Sequence, residues 1–172
     1  MFQDEARFGR INGPKRCWAP KGIRPVSYCQ IVREYTYAYA AVCPNDGTMD
    51  SLILPIVTAQ AMSIFLEEVG MRHADEYIIM FMDRAAWHTA KTLKIPSNIS
   101  IMKLPAYSPE LNPTENIWDE IREKFFLNTV FSSMKTVEDK LEEALISLET
   151  SKELVKPITG FEWIVTSILN AT

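Results

Sequence analysis

Tyr77-Ile78-Ile79-Met80-Phe81-Met82-Asp83 is a run of six apolar residues closed by a carboxylate. A short, continuous apolar run bounded by charge predicts a strand buried on both faces, as strands inside parallel sheets are. Ile99 to Leu104 predicts a second buried strand, ending at a proline-rich loop. Between and after these the chain is helical in period. A short helix is expected at His88 to Leu93, and longer ones over Thr114 to Phe126, Thr136 to Leu148 and Phe161 to Leu169. Val137, Leu141, Leu145 and Leu148 form one stripe of the second long helix, the spacing of a packed helical face.

Upstream of the run, Ala59 to Met71 carries Met62, Phe65, Leu66 and Val69 on one helical face. Before it the period changes to two. Tyr35, Tyr37 and Tyr39 alternate with small residues inside the β-branched and aromatic segment Tyr28 to Val42, which predicts a strand with one packed face. Asn45-Asp46-Gly47 marks a turn, and Met49 to Val57 returns as a strand. Phe2 to Phe8 is the opening strand, while Lys15 to Pro20 is a short strand or a loop. An antiparallel meander, a helix, and two buried strands alternating with helices make a layered α/β domain. In open sheets of this kind sites form beyond the carboxyl ends of strands, which is where Asp83 sits.

Composition narrows the class. With 47% apolar and 23% charged residues the chain reads as globular. Its longest apolar run is far below the roughly 18 residues of a membrane span. The acidic start MFQDEARFGR has no apolar core of a signal peptide, so a cytoplasmic, non-membrane protein is expected, or a nuclear one in a eukaryotic source. Cys17, Cys29 and Cys43 have no paired spacing, which argues against zinc or a disulfide framework and for buried, inert thiols. The net charge of −4 is uneven: residues 1–33 carry +5 and the remainder −9. That asymmetry suits a phosphate-facing edge on an acidic body, and suits equally a solvated loop.

Three acids are candidates for chemistry, and each has a plain structural reading beside it. Asp83 at the lip of a buried strand needs a partner or a metal; alternatively it caps the next short helix near Ala86. Glu115 lies in LPAYSPELNPTENIW, residues 104–118, where Asn112 as N-cap, Pro113 at the first helical position and Glu115 at the third would form a capping box. Three prolines also stiffen that segment, as a site holding a carboxylate in place requires. Asp4 and Glu5 are adjacent on a strand and point to opposite faces, so one of them can join a common site. Brought together, three carboxylates are hard oxygen ligands for two Mg²⁺ or Mn²⁺ ions, and such a pair drives in-line phosphoryl displacement.

FQDEARFGR, CWAPKG, FMDRAAWH, LPAYSPELNPTENIW and ITGFEW, in this order along nearly the whole chain, resemble the bacterial insertion-sequence branch of the mariner superfamily of DDE transposases. The resemblance implies a ribonuclease H-like mixed sheet of order 3-2-1-4-5, with three antiparallel strands followed by two parallel ones, flanked by helices. It places the catalytic and metal-binding triad on Asp4, Asp83 and Glu115, with Asp83 and Glu115 spaced by 32 positions. In the implied mechanism Asp4 bridges two Mg²⁺ or Mn²⁺ ions, and Asp83 and Glu115 each hold one side. Arg84 departs from the family, which carries a small or amide residue there; it would contact phosphate, or pair with Asp83.

The resemblance further implies a single DDE catalytic domain over residues 1–172, without the helix-turn-helix module such relatives carry ahead of it. It would cut and transfer strands at transposon ends, with terminal repeats and target DNA as partners and a homodimer as the active complex. Arg7, Lys15, Arg16, Lys21, Arg84 and His88 are candidate DNA contacts, although a lone His is more often structural. Asn112 and Trp118 are candidate supports of the site, and Trp18 and Trp118 read better as packing anchors than as base-stacking platforms. The rival readings are a nuclease of the same fold that never joins strands, and a non-catalytic remnant serving as an interaction module.

Overall fold

A computed structural model describes residues 1–12 and 15–169. Five strands form one sheet: β1 (Phe2–Asn12), β2 (Gln30–Val42), β3 (Met49–Leu54), β4 (Ile78–Met82) and β5 (Ile99–Lys103). Their order across the sheet is β3-β2-β1-β4-β5. β1 and β2 pair antiparallel with Asp4 opposite Ala40, β2 and β3 pair antiparallel, and β4 lies parallel to both β1 and β5. The meander and the order 3-2-1-4-5 are those expected, so the fold is the ribonuclease H-like one.

The helices are α1 (Ala59–Arg72), α2 (Thr114–Lys124), α3 (Met134–Glu149), α4 (Lys152–Thr159) and α5 (Glu162–Leu169). α1 covers one face, burying Met62, Phe65, Leu66 and Val69 against Tyr39, Ala41, Ile78, Met80 and Met82. α2 and α3 cover the other, placing Ile117, Trp118, Ile121, Val137, Leu141 and Leu145 against Phe2, Ala6, Phe8 and Ala40. Alternation along β1 and β2 sends successive side chains into these two cores. The helix stripes read from the sequence are the buried ones.

Several expectations change. β4 is not buried on both faces: Ile78, Met80 and Met82 point into the α1 core, but Ile79 is 47% exposed. Position explains this, because the α2–α3 layer sits over β1 and β2 and leaves the far side of β4 open. β5 is an edge strand with Met102 exposed. β3 stops at Leu54, ahead of Pro55, which cannot donate to a ladder. Lys15 to Pro20 is irregular, part of an exposed arm that runs to β2. Trp18 on that arm is fully exposed and anchors nothing. Cys17 and Cys29, expected to be buried, are exposed for the same reason. α4 is an addition that Pro157 inside it concealed.

Gly47 closes the β2–β3 turn at φ 79°, with the space a Cβ would need taken by the Lys152 carbonyl. Only glycine fits both conditions. The turn and the start of α4 are thereby packed on one another.

Candidate active site

β1 carries Asp4 on the same face as Phe2, Ala6 and Phe8, toward α2. A carboxylate there stands between the core and the cavity, and the Trp118 indole Nε1 donates to Asp4 Oδ2 at 2.8 Å. Burial first, and then the charge of Glu115, push the Asp4 carboxyl up to about 7, with the indole bond pulling the other way. Trp118 itself is 1% exposed, so the donor cannot wander.

Glu115 is placed by the segment before it. β4 leaves β1 after the pair Phe2–Phe81, and side chains from the proline-rich loop take over the strand edge. Asn112 Nδ2 donates to the Gln3 carbonyl at 3.0 Å, and Thr114 Oγ1 donates to the Phe2 carbonyl at 2.9 Å. Both residues are buried. α2 begins at Thr114, as its period predicts, but its N-cap is Pro113, one position after the expected Asn112. Asn112 Oδ1 still accepts from the Thr114 N–H at 3.2 Å. Glu115, instead of closing a capping box, lines a cavity. Burial raises its carboxyl; Arg122 draws it down, and Asp119 and Asp83 push it up again.

Asp83 emerges from the end of β4 and meets two donors. Its Oδ1 accepts from the Ala85 N–H at 2.9 Å, a local turn ahead of the short helix Ala86–Thr89, whose N-cap is Ala85 and which takes no side-chain cap, so Asp83 does not cap it as expected. The same oxygen lies 2.7 Å from His88 Nδ1. The His88 side chain is 1% exposed, and its other nitrogen, Nε2, lies 2.9 Å from Glu5 Oε1. Trp87 Nε1 donates to that Glu5 oxygen at 3.1 Å. Nε2 hydrogen-bonds Glu5, while Nδ1 hydrogen-bonds the Asp83 carbonyl at 3.4 Å and meets Asp83 Oδ1 as an ion pair, so the ring donates on both sides only when doubly protonated. Burial opposes that charge, but Glu5 and then Asp83 outweigh it and raise the His88 pKa. His88 is therefore interior, not a surface residue available to DNA.

Asp4, Asp83 and Glu115 thus come from a strand, a strand end and a helix to line one cavity of about 430 Å³. Arg84 and the wall from Leu104 to Pro109 complete it. Arg84 does not pair with Asp83; its Nε donates to the Leu104 carbonyl at 3.1 Å. Tyr107 stands at the rim with a fully exposed ring and φ 59°, a strained left-handed backbone of the kind found at functional sites.

In kind, the acids suit hard divalent cations, because all donors are carboxylate oxygens and the partners each acid has leave lone pairs free toward the cavity. In placement they ring the cavity. Among the described residues no three His, Cys, Asp or Glu side chains are drawn close enough to hold one ion. The field couples Glu115 to both neighbours, since it acts on Asp4 and is acted on by Asp83.

The remaining expected DNA contacts lie on or beside the arm after β1. Arg7 is exposed, with its guanidinium 4.4 Å from the centre of the Tyr35 ring. Lys15, Arg16 and Lys21 are exposed, and Lys15 is tied by its backbone N–H to Asn128 Oδ1 at 2.9 Å. Among the described residues no helix is long and apolar enough to cross a membrane. Glu5, Trp87 and Tyr107 belong to the site although the sequence does not single them out. The only signal for Glu5 is its place beside Asp4 on the opposite face.

The model of the DDE superfamily endonuclease family matches residues 1–138. An uncharacterized Sinorhizobium fredii protein, y4pE/y4sA, is 40% identical over 99 residues, which are 56% of this chain and 73% of that protein. Among solved structures, the Mos1 strand transfer complex superposes with a TM-score of 0.65 at 18% identity, over 92% of this chain and 49% of that one. The Mos1 mariner paired end complex with Mn gives 0.63 at 20% identity, over 96% and 54%. The chain therefore spans about half the length of those solved proteins. At such identities the likeness is one of fold.

Proposed function

The chain belongs to the DDE superfamily endonuclease family, and from that premise we propose that residues 1–172 act as a transposase catalytic domain cutting and joining DNA strands at transposon ends. Asp4, Asp83 and Glu115 would hold two Mg²⁺ or Mn²⁺ ions. The observation carrying this reading is that three acids distant in sequence line one cavity, with the Asp4 carboxyl pushed up to about 7. Uncompensated negative charge of that kind is relieved by a cation. Bound there, the ions would supply Lewis acidity to the scissile phosphate and ready deprotonation of an attacking water or 3′-hydroxyl.

The chain's own residues do the rest. Trp118 fixes one oxygen of Asp4, His88 and Ala85 fix one oxygen of Asp83, and Asn112 and Thr114 fix the start of α2 beneath Glu115. Arg84, on the cavity wall, would neutralise a neighbouring phosphate. Arg7, Lys15, Arg16 and Lys21, all exposed, would contact the DNA backbone. The exposed apolar side chains of the arm, Trp18, Val26 and Tyr28, support a two-copy assembly, because solvent is a poor environment for so much apolar surface. Among the solved structures that share the fold are strand transfer and paired end complexes of Mos1, one of them with a transposon end. That likeness supports DNA as the partner; a cytoplasmic, DNA-associated location belongs to the same proposal and rests on the sequence alone.

The test is cleavage of DNA bearing the element's own ends in Mg²⁺ or Mn²⁺, with Asp83→Asn beside the parent. Loss of at least about 100-fold is expected from removing a metal ligand's charge, and equal activity in the two would end the assignment. A pre-cleaved end with a free 3′-hydroxyl then separates strand transfer from hydrolysis alone.

A further inference from the structure

Glu5 points away from Asp4, into the side of the sheet covered by α1, where its partner across the ladder is the buried Tyr39. Its side chain is 7% exposed and that of His88 1% exposed. A buried acid–imidazole pair is a poor device for stability alone, since a well-packed apolar pair of the same volume does as well or better. This pair has a direction. Trp87 and His88 both close on Glu5 Oε1, at 3.1 and 2.9 Å, and the far nitrogen of the imidazole reaches Asp83 Oδ1 at 2.7 Å. A chain of contacts thus runs from the back of β1, through a fixed ring, to a carboxylate whose side chain is 56% exposed at the cavity.

We propose that Glu5, acting through His88, is a positioning residue for Asp83: the gripped imidazole fixes one oxygen of Asp83 and leaves the other to face a cation in the cavity. This rests on the reading of Asp83 as a metal ligand. Partners of a ligand's outer atoms set its orientation and basicity, and their loss commonly weakens metal binding by about 10–100-fold. Asp83 follows the last residue of β4 and has no strand neighbour to hold its side chain. Without His88, its side chain keeps the Ala85 N–H alone among the described residues.

The experiment is Mn²⁺ titration of the whole chain, followed by the electron paramagnetic resonance of free Mn²⁺, with thermal melting recorded for each variant. His88→Ala is expected to weaken binding about 10–100-fold. The amide nitrogen of Asn overlays Nδ1 and that of Gln overlays Nε2. His88→Asn should therefore recover most of the affinity and His88→Gln little, a distinction that a purely structural histidine would not make. Glu5→Gln, nearly isosteric, should weaken binding several-fold while melting cooperatively. If His88→Ala does not fold, Glu5→Gln and the Asn/Gln pair decide. Parent-like affinity in folded Glu5→Gln and His88→Gln overturns the proposal, as does tighter binding in His88→Ala, which would mean the ring holds Asp83 off the metal. A parent that binds no Mn²⁺ removes the metal-site reading itself.

Discussion

The Trp118 indole N–H meets the Asp4 carboxylate at 2.8 Å, so the residue three positions beyond Glu115 on α2 grips the acid at the start of β1. One helix therefore both presents an acid to the cavity and orients another. Trp118→Phe keeps most of the packing and removes the bond. It should cost about 2 kcal/mol, from a partial cavity and a lost charge-assisted hydrogen bond, and should raise the Asp4 pKa further. Urea denaturation reads the first effect and carbon-13 titration of the Asp4 carboxyl reads the second.

Asp4 makes stability depend on pH in an unusual direction for an acid. Its folded pKa, about 7, lies above the ordinary 3.8, so between these values the folded state binds more protons than the unfolded one. Stability from this group is present below pH 4 and is lost as pH rises toward 7. Asp4→Asn should therefore be more stable than the parent at pH 8 and gain nothing at pH 4, as compared by urea midpoints. Mn²⁺ binding at pH 6 should release a proton, seen as a buffer-dependent enthalpy in calorimetry.

The seam between the proline-rich loop and β1 is a second point of failure. Thr114→Val preserves shape but leaves the Phe2 carbonyl without its hydroxyl partner, and Asn112→Ala does the same to Gln3. Each should cost about 1–3 kcal/mol. Each should also weaken Mn²⁺ binding more than a core truncation of equal cost, such as Leu145→Ala, because it frees the start of α2 beneath Glu115. Paired measurements of melting and Mn²⁺ affinity check this.

His73 ties the end of α1 to β3. Its Nε2 lies 2.7 Å from the buried carboxylate of Asp50, and its Nδ1 lies 2.7 Å from Glu76. Burial opposes a charged ring there, but Asp50 and then Glu76 outweigh it and raise the pKa. The stabilisation is thus complete below the ordinary value of 6.5 and fades as pH climbs through the raised one. His73→Gln should lose about 1–2 kcal/mol at pH 6 and distinctly less at pH 9, by urea denaturation at the two pH values.

Local chemistry made much of this protein legible in one dimension. Apolar periodicity marked α1 and α3 and their buried stripes, tyrosine alternation and Asn45-Asp46-Gly47 marked the β2–β3 hairpin, and the run to Met82 marked β4 with Asp83 at its lip. These signals are short-range: period, turn propensity and the cost of an unpartnered carboxylate are properties of neighbours along the chain. The ordered motifs then carried the family, and with it the sheet order.

Tertiary structure alone decided the partners. That β4 is open on one face depends on where α2 and α3 lie. His88 is interior because Glu5, 83 positions away, receives it, and Asp4 is held by Trp118, 114 positions away. Glu5 reaches Asp83 only through the first of those contacts. Nothing in the spacing of a chain encodes which buried donor finds which acceptor until the layers pack, because each of these bonds is made across the sheet or between it and a helix.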